Sequence, residues 1–160
     1  IQAQFAKFFP DIAYNCIIIL RTKQPTDGTY TNQTERPIQK IGMHRVRAME
    51  LIKTLFVTLN KMKDGKQLIS LLLKTKVIDT MLYMIKTYPF CCISHQQSIQ
   101  ILNALKESFD KEDVATLKQF ILVELHGQAQ FSFPSGRQTS GPNMGQITQI
   151  AFELRNLTQQ

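Results

Sequence analysis

Apolar residues recur along this chain with the spacing of α-helices, and polar segments that contain Pro and Gly separate them. The clearest pattern runs from His44 to Asn60, where the apolar positions form one stripe along a helix. These positions are Ala48, Leu51, Ile52, Leu55, Phe56 and Leu59. No segment alternates convincingly with a period of two, so the pattern predicts an all-α chain.

Further helices are predicted on both sides of this one, and polar or small residues indicate their ends. Pro10 should kink or divide a first helical region between Gln2 and Leu20, because proline is tolerated in a first turn but not inside a helix. Ser94 followed by Gln97 fits a capping box. Asp110 is placed as an N-cap and Gly127 as a helix end.

Two stretches rich in Pro, Gly and polar residues predict long loops, at 22–41 and 127–143. A last helix should follow the second loop. The remaining helices are joined by short turns and have wide apolar faces, which favours a single helical domain over residues 1–160. We expect an irregular α-solenoid of stacked antiparallel helices, of the armadillo or HEAT kind, with a compact bundle as the alternative. Because the chain does not begin with Met, we expect it to belong to a longer protein.

The net charge of +7 is concentrated in one part of the chain. The segment from Arg36 to Lys86 holds eleven Lys and Arg residues against three carboxylates. Such a field favours an acidic protein, a nucleic acid or an anionic membrane surface as a partner, although the solvated faces of ordinary helices are the favoured explanation of these charges. The basic contact candidates are Arg47, Lys61, Lys63 and Lys66, and direct nucleic-acid binding through this region is the least favoured use of them.

Cysteine usage and hydropathy indicate the compartment. The longest strictly apolar run, Ile17 to Leu20, is far too short to cross a bilayer, so no membrane span is expected. Three cysteines, two of them adjacent, do not form a disulfide framework. We therefore expect a soluble intracellular protein, in the cytoplasm and with the nucleus also open.

Candidate catalytic groups are few. Cys91 and Cys92 lie near His95, so a Cys/His pair is one interpretation, but packing of a chain corner is the favoured one. The same residues do not provide the four ligands of a structural zinc site, and no Gly-rich phosphate-binding loop is present in the sequence. We therefore expect no enzyme, no cofactor and no metal.

Arg45 stands at the start of the best-defined helix, beside the first long loop. One interpretation is a bidentate grip on a carboxylate, either within the chain or from a partner. The other is a solvated cation in the first helical turn. The sequence leaves both open.

Three short motifs follow one another in the chain, and together they resemble the SAPS-domain regulatory subunits of protein phosphatase 6. The family pattern Leu-Gly-x-x-Arg-Leu-x-x-x-x-Leu-Ile-x-x-Leu-Leu is matched in register from Ile41 to Phe56, including Gly42 and Arg45. The motif resembling Tyr-Pro-Trp-Asn-Asn-Phe-Leu-His is matched at Tyr88, Pro89, Phe90, Ile93 and His95. The motif resembling Gly-Tyr-Met-Gly-His-Leu-Thr-Arg-Ile-Ala is matched at Gly141, Met144, Gly145, Ile147, Thr148, Ile150 and Ala151.

This resemblance spans nearly the whole chain and implies a function. A family member would be a non-catalytic scaffold that binds a phosphatase catalytic subunit and directs its substrate choice or location. Several polar positions differ, because Gln146 and Gln149 replace the family's His and Arg and two cysteines replace its paired asparagines. The alternative is therefore a helical-repeat subunit that is built permanently into a large macromolecular assembly.

Overall fold

The computed structural model describes residues 7–23, 28–31, 37–62, 65–73, 76–129, 148 and 152, and it is mostly helical in these parts. The prediction of a helical chain is confirmed at this level. In chain order the elements are α1 Phe9–Arg21, β1 Thr29–Thr31, β2 Pro37–Gln39, α2 Met43–Asn60, α3 Gly65–Leu73, α4 Val77–Thr87, α5 Cys92–Leu105, a 3₁₀ turn Lys106–Ser108, and α6 Lys111–Ala129.

The chain divides into two compact units, Ile1–Ser108 and Phe109–Gln160. In the first unit, α2 packs against α1, α3 and α5, and α5 also packs against α4. The second unit contains α6, whose described core side chains are Leu117 and Ile121. None of the described helices is both long enough and apolar enough to cross a membrane.

The core of the first unit is built from the predicted helical stripes. Five of the six predicted α2 positions are buried, and Leu51, at the edge of the stripe, is exposed. Arg45 and Met49 are buried on the same face as those five. Helix α4 is buried on most of its surface, so it lies inside the unit. The 3.6-residue period therefore identified the buried face, and one position at its margin was wrong.

The predicted helix ends were partly wrong. Helix α1 begins at Phe9 with Pro10 in its first turn, where the missing N–H of proline costs no hydrogen bond. Ser94 does not cap α5, because that helix begins two residues earlier, at Cys92, and Ser94 is buried in its first turn. Gly127 does not end α6, which continues to Ala129. In contrast, the prediction of Asp110 as an N-cap is confirmed by hydrogen bonds that its Oδ1 accepts from the N–H groups of Glu112 and Asp113.

The loop predicted at 22–41 contains two short strands that the sequence pattern did not predict. Strands β1 and β2 pair antiparallel, with Tyr30 opposite Ile38, and form a two-stranded ribbon. The strands have only three residues each, which is too short for a period of two to be recognised. The ribbon leads directly into α2.

A close approach at Gly65 fixes the turn between α2 and α3. A Cβ at this position would overlap the main-chain carbonyl oxygen of Leu59, which belongs to α2 and cannot rotate away. Only glycine therefore fits at the start of α3. This agrees with the predicted turn at Asp64-Gly65, of which Asp64 lies outside the described residues.

Candidate functional site

An apolar groove lies on the surface of the first unit, where the ribbon, the start of α2 and the α4–α5 corner meet. Its volume is about 440 Å³. The side chains that line it include Tyr30 and Ile38 from the ribbon, Met43 and Val46 from α2, and Phe90 and Ile93 from the corner. The structure therefore brings together the first two motifs, whose first residues, Ile41 and Tyr88, are more than 40 positions apart in the sequence.

Gly42 turns the chain from the ribbon into α2 at the edge of this groove. Its φ is +74°, in the left-handed region that side-chain-bearing residues rarely adopt. A Cβ on Gly42 would also lie 2.5 Å from Cε1 of His44. The glycine of the first motif is therefore explained by the local backbone, because the positive φ and the close approach of His44 both disfavour a side chain at this position.

Arg45 lies beneath the groove and is 2% exposed. Its guanidinium donates hydrogen bonds to the carbonyl oxygens of Thr22 at 2.8 Å, Ile41 at 3.0 Å and Leu20 at 3.4 Å. Two of these carbonyls belong to the C-terminal end of α1 and the residue after it, where a cation is favoured by the helix dipole. Arg45 therefore connects the end of α1 to the start of α2.

This buried position corrects one of the two sequence interpretations of Arg45. A solvated first-turn cation is wrong, because the side chain is buried. The acceptors described for its guanidinium are main-chain carbonyls, and the bidentate grip on a carboxylate stays a prediction. The guanidinium carbon also lies 5.8 Å from the centroid of the Tyr88 ring, within the range of a cation–π interaction. One buried cation thus links the two motifs.

The corner between α4 and α5 is only partly packed. Tyr88 is buried, its N–H donates to the Met84 carbonyl at 3.1 Å, and its own carbonyl accepts from the Cys91 N–H at 3.0 Å. Pro89 is half-buried, whereas Phe90 and Ile93 project into the groove with 45% and 55% of their surface exposed. The predicted packed corner is therefore correct for Tyr88 but not for the two apolar residues that line the groove.

His95 is buried in the first turn of α5, behind this corner. Burial lowers the pKa of its imidazole, and hydrogen bonds to the main chain of Tyr88 and Ile85 oppose that shift. Within the described part of the chain, its Nε2 atom has no hydrogen-bond partner. His95 thus supports the corner from within, while Cys92 is exposed on the surface.

The structure describes no metal-binding cluster around these residues. Among the side chains that the structure describes, which in α6 extend to residue 123, no three His, Cys, Asp or Glu are close enough to hold one ion. The three cysteines are free thiols, and burial raises the pKa of Cys16 in α1. The described residues that line the groove therefore form a largely apolar surface with one cation.

That cation is Lys40, which the sequence analysis did not select. Among the described residues that line the groove, it is the one charged side chain. The basic candidates lie elsewhere: Arg47 is 70% exposed and pairs with Glu50 at 2.6 Å, and Lys61 and Lys66 are exposed on other turns. Lys63 lies outside the described residues.

The third motif contributes little described structure. Met144 and Gly145 lie outside the described residues. Thr148 and Phe152 are helical and exposed, and the apolar residues of the predicted last helix also lie outside the described residues. The missed groove residues of the ribbon carried one weak sequence signal. Tyr30 and Ile38 are large apolar residues inside an otherwise polar segment, and such residues need a surface to contact.

Comparison with known proteins gives no match to this chain, whether with protein-family models, with curated proteins or with solved structures.

Proposed function

We propose that this chain is a non-catalytic protein-binding module and that the apolar groove is its docking surface. The observation that supports this is the cluster of exposed apolar side chains at the groove. Met43, Ile93, Tyr30 and Phe90 are 67%, 55%, 49% and 45% exposed. Single exposed apolar residues are common, but several that converge on one concave surface are typical of an interaction site.

The groove is supported from beneath by buried polar contacts, which favours a preorganised surface. Arg45 ties α1, α2 and the Tyr88 ring together, and Gly42 fixes the direction in which α2 begins. A surface whose shape exists before binding loses less conformational entropy when a partner docks. The buried members of the two motifs therefore shape the groove, and their exposed neighbours would contact the partner.

The partner we propose is the catalytic subunit of a protein phosphatase, as the resemblance to SAPS-domain subunits implies. In this proposal the module is intracellular and directs the substrate choice or location of the phosphatase. Its support is the convergence of the first two family motifs on one groove. We also propose that the helices stack as an armadillo-like or HEAT-like solenoid, and the support for this is that each helix from α1 to α4 contacts the next helix in the chain.

Affinity capture tests this function. The tagged chain should recover a phosphatase catalytic subunit, identified by mass spectrometry and by phosphatase activity on the beads. Met43→Glu, which places a charge in the groove, should abolish the recovery. Leu51→Glu is the matched control, because Leu51 is an exposed residue of the same helix outside the groove. Recovery of no phosphatase subunit, or equal recovery by both variants, would refute the proposal.

A second function is favoured by another exposed apolar surface. Tyr14 and Ile18 lie one turn apart on α1 and are 56% and 43% exposed. Together with the basic region from Arg36 to Lys86, this surface suits a subunit that is permanently built into a large assembly. Such a subunit should stay in a high-molecular-weight fraction in high salt. A regulatory subunit should instead separate together with phosphatase activity.

A further inference from the structure

The groove also indicates the chemistry of its occupant, an inference that rests on the proposed function as a protein-binding module. We propose that the groove binds an extended, acidic segment of the partner, which places apolar side chains between Met43, Phe90 and Ile93. Three features of the described residues lead to this occupant: the openness of the groove, the sign of the charge around it and the exposed ribbon beside it.

The openness of the groove favours a polypeptide over a small molecule. Small-molecule sites usually enclose most of the ligand surface. Here the residues at the mouth are about half exposed or more, so a ligand lying on them would stay partly in water. Met43 is the most exposed of them, and a flexible thioether side chain adapts to different apolar partners.

The charge around the groove favours an acidic segment. Lys40 lines the groove, and no acidic residue is present among its described lining residues. In the flanking segments 37–50 and 86–96, the cations are Lys40, Arg45, Arg47 and Lys86, and the one carboxylate is Glu50. Because Glu50 pairs with Arg47 and Arg45 is buried, Lys40 is the cation placed to contact a ligand in the groove.

The ribbon favours an extended conformation. The Lys40 N–H donates to the Gly28 carbonyl at 2.8 Å, and hydrogen-bonded pairs alternate along an antiparallel ladder. The N–H and C=O of Gln39 therefore point away from β1, toward the outer edge of β2. Among the described residues the sheet has only these two strands, so that edge can accept a further strand.

A random-peptide phage library, selected on the whole 160-residue chain, tests the occupant. Selection should be preceded by depletion on the Met43→Glu variant, which should fold because Met43 is exposed and an acid is favoured in the first turn of a helix. We expect enriched peptides with Asp or Glu beside an aromatic or branched apolar residue. The inference would be overturned if basic peptides were enriched, or if the peptides selected on the wild type were no more frequent than in the library left after depletion.

Fluorescence anisotropy with the most enriched peptide then tests each feature against a matched control. Lys40→Glu should weaken binding about tenfold, whereas Lys118→Glu, the same charge change at an exposed position of α6, should leave it unchanged. Gln39→Pro removes the outward N–H of β2, and Thr31→Pro makes the same change at the opposite edge of the ribbon. We expect Gln39→Pro to weaken binding and Thr31→Pro to leave it near the wild-type value.

The outcomes separate this inference from the proposed function. If the phosphatase subunit is captured through the groove but acidic peptides show no dependence on Lys40, the function stands and the acidic segment is refuted. If peptides bind as expected and no phosphatase subunit is captured, the occupant stands and the identity of the partner is refuted. Displacement of the peptide by a small apolar molecule, with no effect of Lys40→Glu, would also overturn the inference.

Discussion

At the scale of single residues, Arg45 and His95 are buried side chains that contact segments next to the groove. Both are polar, both are buried, and both contact the main chain at helix ends. A buried polar group is costly unless hydrogen bonds replace its contacts with water. The hydrogen bonds of Arg45 and His95 to the main chain therefore help to stabilise the start of α2 and the α4–α5 corner.

Replacing Arg45 should destabilise the fold strongly. Arg45→Met removes the donor for the carbonyls of Leu20, Thr22 and Ile41 and leaves these acceptors without that partner. We expect the free energy of unfolding to fall by about 2–4 kcal/mol, measured by urea denaturation. Arg47→Met is the matched control, and because its ion pair with Glu50 is on the surface, it should change stability by less than about 1 kcal/mol. Equal effects of the two variants would contradict the role of Arg45 in connecting the end of α1 to the start of α2.

His95 should make stability depend on pH. Burial lowers its pKa in the folded chain, so as the pH falls the unfolded chain binds a proton before the folded chain does. The stabilisation is complete above the ordinary His pKa of about 6.5 and is lost as the pH falls below it, toward the lower pKa of the folded state. Urea denaturation of the wild type between pH 5 and 8 should show this loss.

Two variants test whether His95 causes this pH dependence of stability. His95→Gln removes the titrating group and should give a flatter dependence of stability on pH. Phe90→Ala, at the same corner but without a titrating group, should keep the slope of the wild type. An unchanged slope in His95→Gln would show that other groups cause the effect.

At the scale of single elements, the ends of helices depend on local side-chain chemistry. At the start of α6, Oδ1 of Asp110 accepts hydrogen bonds from two main-chain N–H groups. In turn, Oδ2 of Asp113 accepts a hydrogen bond from the Asp110 N–H at 3.1 Å. This is a reciprocal capping box. Ser94 and Gln97 fit the capping-box pattern in the sequence, but Ser94 lies inside α5, where its hydroxyl is 3.9 Å from the sulfur of Met49. The signature alone therefore does not decide which residue caps a helix.

Removing the confirmed cap should loosen α6 locally. Asp110→Ala should cost about 1 kcal/mol, because the N–H groups of Glu112 and Asp113 lose their acceptor. Amide hydrogen exchange should become faster in the first turn of α6. Ser94→Ala is the comparison, and it should leave exchange in the first turn of α5 unchanged because Ser94 caps nothing there. Unchanged exchange at Glu112 and Asp113 would contradict the assignment.

On the scale of the whole chain, most of the described core belongs to the first unit. All the buried apolar side chains of the described residues lie in it except Leu117 and Ile121. The groove and the Arg45 contacts are also within this unit. A unit with its own core is expected to fold by itself.

A fragment of residues 1–108 should therefore keep its structure. We expect a helical circular dichroism spectrum and one cooperative thermal transition, because the contacts among α1 to α5 are all retained. The Arg45→Met fragment is the control and should melt at a lower temperature. A fragment without a cooperative transition would show that the second unit is needed for folding.

The helical content, the buried stripe of α2 and the cap of α6 could be predicted because they depend on residues within a few positions of one another. Short-range spacing places side chains on one face of a helix whatever the rest of the chain does. The ribbon could not be predicted, because three-residue strands carry no recognisable period. The two motifs were visible in the sequence, but their common position was not.

The amino-acid pattern was sufficient to show that helices form and to identify most of the buried face of α2, since both follow from local geometry, but it did not give every helix end. Only the tertiary structure showed that Arg45 is buried, that Phe90 and Ile93 are exposed, and that Lys40 lines the groove. The reason is physical: the environment of a side chain depends on chain segments far away in sequence. The carbonyls that bind Arg45 include one 25 residues before it, and no local pattern encodes that contact.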